Sequence, residues 1–260
     1  MNGATDIKLP FMLIGFLTLA IPITLSLIYK INITREIAVS VARMTVQLAL
    51  VGIVLQYLFK WNYLWLTSIW FIFMIGVADF NILKKTKIKI KKMPFFIFIS
   101  ITISVTSILA FLIIVVIRPT PLYDAKHLIP LGGMILGNSM NGISLALERF
   151  YSALTKNKKE YYSYISMGAN SDEGTARFCK EAYRAALIPT ISNMATLGLV
   201  SLPGMMTGQI LGGSEPTVAI KYQIIIMIAI FSSTSISALL SLKFLKRAII
   251  DKNDLITDKI

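Results

Sequence analysis

Long uncharged apolar runs alternate along this chain with short clusters of lysine and arginine. Leu9–Tyr29 carries no charge and is long enough to cross a bilayer at 1.5 Å per residue. It ends without a small-residue cleavage site, so it reads as a retained span rather than a signal peptide. Ile37–Phe59 is the second expected span and Trp61–Leu83 the third, which opens on the aromatic belt Trp61, Tyr63 and Trp65. Pro94–Ile117, Leu128–Leu147, Leu187–Ile210 and Pro216–Leu242 follow. The pattern predicts an all-α polytopic membrane protein of about seven transmembrane helices, a single domain over residues 1–260.

The sixth span is unlike the rest. Ala186–Gln223 is apolar, yet it holds Pro189, Pro203, five glycines from Gly198 to Gly213, and the polar Asn193, Gln209, Lys221 and Gln223. In lipid, every backbone group that a break frees needs a partner inside the protein, so this stretch packs against other helices or lines a cavity. Gly204, Gly208 and Gly212 recur every four residues and would give a helix a bare face for a neighbour. Pro203 leaves Leu187–Leu202 only about 24 Å long as a straight helix. The span therefore either crosses fully or breaks into a half-helix at Pro203.

Charge sets the orientation. Twenty of the 26 lysines and arginines fall in Lys30–Glu36, Lys84–Lys92, Glu148–Arg184 and the tail from Lys243, against four on the opposite side. Basic loops stay in the cytoplasm, which places the N-terminus outside and the C-terminus inside. The net charge of +13 then belongs to those loops and gives no reason to expect a nucleic-acid partner. The single Cys179 and single His127 exclude an internal disulfide and any cysteine- or histidine-cluster metal site. The chain has no HExxH helix and no GxxxxGK[ST] phosphate loop, so an enzyme is not expected. If ATP drives it, another polypeptide hydrolyses the ATP.

Glu148–Ala186 is the largest segment outside the spans. Lys158–Met167 reads as a tyrosine-rich helix and Gly168-Ala169-Asn170 as a turn. Asn170 with Glu173 fits a capping box. Phe178, Ala182 and Ala186, with Cys179, Tyr183 and Leu187, then make an apolar stripe at helical spacing. Such a hairpin docks a partner or lies as a connector along the membrane.

Within the spans, charged side chains need a reason. Arg43, with Gln47 one turn on, and Asp79 lie toward the cytoplasmic side; an Arg43–Asp79 salt bridge, a snorkelling arginine and a transport role are all open. Asn138 and Asn141 share a helix face with Glu148 near its inner end. They offer oxygen ligands to a hard cation or hydrogen bonds between helices. Met134, Met140, Met194, Met205 and Met206 offer soft thioethers or simple packing. No tight ligand spacing marks a permanent metal site.

LVSLPGMMTGQILGG followed by AIKYQI resembles the signature of the FetB family, the permease subunits of iron-export ABC transporters, to which plant STAR-type aluminium-tolerance permeases also belong. ARMTVQL at Ala42–Leu48, IPLGGMILGNSMNGISLALER at Ile129–Arg149 and MGAN…EAYRAALIP from Met167 to Pro189 agree. The resemblance implies an inner (plasma) membrane permease that dimerises, binds no cofactor itself and pairs with a cytoplasmic ATPase carrying ATP and Mg. It also implies export of iron or another metal ion, although plant relatives point to a nucleotide sugar. The expected transport path or gate is Arg43, Gln47, Asn138, Asn141, Glu148, Pro203, Gly204, Met205, Met206, Gly208 and Gln209. The expected ATPase contact is Gly168, Ala169 and Glu181. A stand-alone channel or ion-coupled transporter, and a non-transporting receptor or assembly factor, are the competing expectations.

Overall fold

The computed structural model describes residues 7–86, 88, 90–251 and 254–256. Lys87 and Lys89 of the expected basic loop, and Lys252 and Lys259 of the tail, lie outside the described residues. Among the described residues the chain forms nine helices and no β-strand. They are α1 (Leu9–Ile28, with a 3-10 turn at Phe16–Leu19), α2 (Thr34–Trp61), α3 (Leu64–Thr86) and α4 (Met93–Ile117, its last turn widened to a π-helix). α5 (Ala125–Lys156), α6 (Lys158–Ser166), α7 (Ser171–Thr196), α8 (Gly204–Leu211) and α9 (Pro216–Ile249) follow. Five of these, α1 to α4 and α9, are long and apolar enough to cross a membrane. α5 has 32 residues, but glycines and asparagines dilute its apolar character.

The expected sixth span is not one helix. α7 stops at Thr196, Leu197–Pro203 carries no helix, and α8 adds eight residues. Pro203 supplies no N–H and disfavours helix in the residue before it. Gly198 turns the chain at φ +85, a conformation that an L side chain resists. The broken form is the one the structure adopts.

α5 is the centre of the bundle. α3, α4, α7 and α9 pack around it. Ile135, Ile143, Leu147 and Phe150 of α5 share one core with Ile97 and Ile101 of α4 and Ile226, Leu242 and Leu245 of α9. Two α5 glycines permit close approach: a Cβ on Gly132 would meet Phe71 at 2.5 Å, and one on Gly142 would overlap the Thr234 methyl of α9. Ser139 and Ser233 add a buried hydrogen bond of 3.0 Å across the α5–α9 contact. α1 and α2 form a looser layer. Leu58 is the one residue α2 buries, against Ala125 and Ile129 of α5. There Ala125 N–H donates to Asn62 Oδ1 at 2.9 Å.

The α6–α7 hairpin is built as its sequence implies. Asn170 Oδ1 accepts from Glu173 N–H and Glu173 Oε2 from Asn170 N–H, both at 2.9 Å, which closes the capping box. Phe178, Ala182 and Ala186 are buried, while Cys179, Tyr183 and Leu187 are half-buried. One boundary differs: Glu148–Lys156 continues α5, because Phe150 and Leu154 keep the core face apolar beyond Leu147. The chain's last described residues fasten onto this hairpin. Tyr161, fully buried, donates its hydroxyl to the Asp254 carbonyl at 2.9 Å, and Ile256 N–H donates to Tyr162 Oη at 3.2 Å. Burial, then the charge of Asp254 and neighbouring Tyr162, push the Tyr161 hydroxyl up to about 12, so it remains a donor. Lys246 of α9 pairs with Asp172 of α7.

Candidate functional site

The central helix leaves its polar side uncovered. Asn138, Asn141 and Glu148 are all exposed along one stripe of α5, although four neighbours bury most of the rest. Asn138 Nδ2 donates back to its own helix at the Met134 carbonyl, 2.8 Å away. Asn141 Oδ1 instead accepts from Lys85 Nζ of α3 at 3.1 Å. Of the two asparagines, one makes the expected bond between helices and the other does not. Lys85 is a participant that sequence reasoning missed. It was assigned to a basic loop, and only the way α3 packs shows that it reaches Asn141.

Arg43 and Asp79 fall near the depth of Asn141, with Gln47 roughly one to two turns short of it. Leu58 and Ala125 lie in one cluster, and Asn62 touches Ala125. Counted along the helices from that level at 1.5 Å per residue, Arg43, Asp79 and Asn141 are each roughly 22–26 Å away, and Gln47 is roughly 16 Å away. The Arg43–Asp79 salt bridge is not formed. The four ion pairs of the described residues include neither group, because α2 meets the bundle mainly at its Leu58 end and holds Arg43 and Gln47 exposed. Asp79 keeps a buried Oδ1 with no hydrogen-bond partner.

The broken span borders an open cavity of about 550 Å³ between the end of α7, α8 and α9. Pro203 and Met206 line it, joined by Met194, Gln223 and Met227. Gln223 is 6% exposed and its Oε1 has no partner; Gln209 of α8 also has a buried, unpartnered Oε1. Met205 packs against the main core, as do Met134, Met140 and Met227; of these four only Met227 also lines the cavity. Gly204 and Gly208 are exposed, and a Cβ on either would meet nothing within 4 Å. The bare glycine face expected to receive a neighbouring helix is therefore open within one chain. Met227 was missed; its four-residue spacing from Gln223 was the signal that both share a face of α9.

On the hairpin, Gly168 closes the α6–α7 turn at φ +93 and Ala169 follows half-buried. Glu181 pairs with Arg177 at 3.0 Å, and Arg177 reaches the half-buried Glu160 of α6 at 2.9 Å, so three charges brace the two helices. Glu181 also lines a notch of about 330 Å³ with Arg149 and Lys156 from the end of α5. Among the described residues no three His, Cys, Asp or Glu side chains converge on a possible metal position. Burial pushes the Cys179 thiol up, away from the reactive thiolate.

The family described as uncharacterised protein family UPF0014 matches residues 10–250. The UPF0014 membrane protein slr1647 of Synechocystis is 35% identical over 80% of this chain and 81% of its own length. The probable iron export permease protein FetB of Escherichia coli is 34% identical over 82% of this chain and 80% of its own. The UPF0014 membrane protein STAR2 of Oryza sativa is 27% identical over 85% and 76%. No solved structure matches the chain.

Proposed function

Because the chain belongs to the UPF0014 family of multi-pass membrane proteins, we propose that it is the permease subunit of an ABC transporter that exports iron or another metal ion. Under this reading α1 to α5, the broken α7–α8 pair and α9 make seven crossings of the inner (plasma) membrane. The N-terminus lies outside, and the C-terminus and the α6–α7 hairpin lie in the cytoplasm. The chain binds no cofactor; ATP and Mg sit on a cytoplasmic ATPase. The relative named as a probable iron export permease supports the cargo class.

The observation that carries the reading is the uncovered polar stripe on the most central helix. A face holding Asn138, Asn141 and Glu148 cannot be left to lipid tails, so it meets water or a second copy. Two copies facing each other across this stripe would enclose a polar path, with Arg43, Gln47 and Lys85 near its inner half. α7 supplies the link to ATP. It is one unbroken helix of 26 residues, roughly 39 Å long, running from the Asn170 cap to the break beside the Pro203 cavity. An ATPase that grips Gly168, Ala169 and Glu181 would, on closing, push along α7 and shift Pro203, Gly204, Met205, Met206, Gly208 and Gln209.

The test is purification of the tagged chain from its own membranes with its partners, followed by an assay for ATP hydrolysis. A stoichiometric ABC ATPase, stimulated by the chain, is the expected result. A preparation free of any ATPase, under conditions that preserve a known ABC complex, would overturn the reading. That outcome would favour the ion-coupled transporter for which the unpartnered Asp79 carboxyl speaks.

A further inference from the structure

We propose that the cavity at the broken span is a binding site for a soft monovalent cation, Cu(I) or its analogue Ag(I), held by the thioethers of Met194, Met206 and Met227 and the amide oxygen of Gln223. The proposal rests on the transport reading only for its meaning, as a cargo position; the site itself is argued from the residues that line it. Met194 comes from the end of α7, Met206 from the first turn of α8, and Gln223 and Met227 from one face of α9. Three separate segments thus bring three methionines to one cavity. The other lining residues, such as Leu197 and Leu202, are apolar, so no rival donor competes.

Gln223 is the independent sign of a ligand. It is 6% exposed, and its Oε1 is buried without a hydrogen-bond partner. An amide oxygen left so is costly unless something positive fills the gap. A cation satisfies both kinds of donor present, sulfur and amide oxygen.

Charge and softness choose the ion. No carboxylate or thiolate lines the cavity. A divalent hard ion expects carboxylates and several oxygens, and neutral ligands would leave its double charge uncompensated in an apolar space. A soft monovalent ion costs less to desolvate and prefers thioethers. The volume of about 550 Å³ exceeds that of an ion, but methionine has three rotatable bonds and closes readily around a guest. The break places the site beside the hinge that α7 drives, where a cargo would be released by separating Met194 from Met206.

The experiment titrates Ag(I) into the purified full chain in lipid nanodiscs, with Cys179→Ala removing the competing thiol. Bound metal is measured by equilibrium dialysis and its ligands by Ag X-ray absorption. The expected result is one Ag(I) per chain with sulfur neighbours. The volume-conserving pair Met206→Leu with Met227→Leu should weaken binding at least about 100-fold, and Gln223→Leu about tenfold, in line with what ligand-shell changes cost elsewhere. The control pair Met134→Leu with Met140→Leu should bind as the parent does. If the Met206, Met227 pair does not fold, the partly exposed Met194→Leu takes its place with an expected loss of about tenfold. No stoichiometric Ag(I), or affinity untouched by the cavity variants, overturns the site. A chain that recruits its ATPase yet binds no Ag(I) loses this site alone, while one that binds Ag(I) without an ATPase loses the ABC reading alone.

Discussion

Gly142 of α5 and Gly208 of α8 are both helical glycines in an apolar setting, and the fold treats them oppositely. At Gly142 an added carbon would overlap the Thr234 methyl, with the Ala186 carbonyl 3.7 Å away; at Gly208 it would meet nothing within 4 Å. The first glycine is what lets α5, α7 and α9 come together. The second, with Gly204, weakens an eight-residue helix by about 1 kcal/mol per glycine relative to alanine and returns no contact inside the chain. The contrast separates a glycine that serves packing from one that makes no contact within the single chain.

The comparison breaks most sharply at Gly142. Gly142→Val should cost about 3 kcal/mol or more by overpacking, and the protein should be lost as a monodisperse species in size-exclusion chromatography. Gly208→Leu is the counterpart. Its yield should match the parent and its thermal stability should equal or exceed it by up to about 1 kcal/mol, while transport is abolished; the same holds for Gly204→Leu. Unchanged transport in both would remove α8 from the mechanism. A smaller effect is expected at the α5 stripe. Asn141→Ala loses the exposed Lys85 hydrogen bond, about 1 kcal/mol, so transport should drop several-fold with little change in melting temperature. The smallest belongs to the far end of the molecule. Tyr161→Phe removes one hydrogen bond to Asp254 and should speed hydrogen exchange at the Asp254–Ile256 amides by about fivefold to tenfold, near 1 kcal/mol.

What could be read in the sequence was local or periodic. The Asn170–Glu173 cap and the Phe178–Ala182–Ala186 stripe each depend on residues within a turn or two of one another, and each is present; Pro203 left a full crossing and a break both open, and the structure adopts the break. The placement of Asn138, Asn141 and Glu148 on one side of α5 likewise followed from helical spacing. Facts that depend on which helices become neighbours were not legible. Lys85 reaching Asn141, Met227 joining Met206, and Arg43 missing Asp79 are consequences of how α2, α3 and α9 dock, and no single-helix period contains them. The emptiness beside Gly204 and Gly208 belongs to this second kind: spacing shows a bare face, but not whether it is filled.

The fastening of Asp254 and Ile256 onto Tyr161 and Tyr162 has a consequence for how each molecule is made. The partners are 93 and 94 residues apart, and a ribosome adding about 5–20 residues per second needs roughly 5–20 s to cover that distance. During that interval the hairpin has emerged but lacks its clasp, which residues 254–256 supply. A nascent chain truncated before Asp254 would therefore carry every apolar helix and still hold an unfinished hairpin. The hairpin is therefore finished only once residues 254–256 have been translated and have folded back onto it.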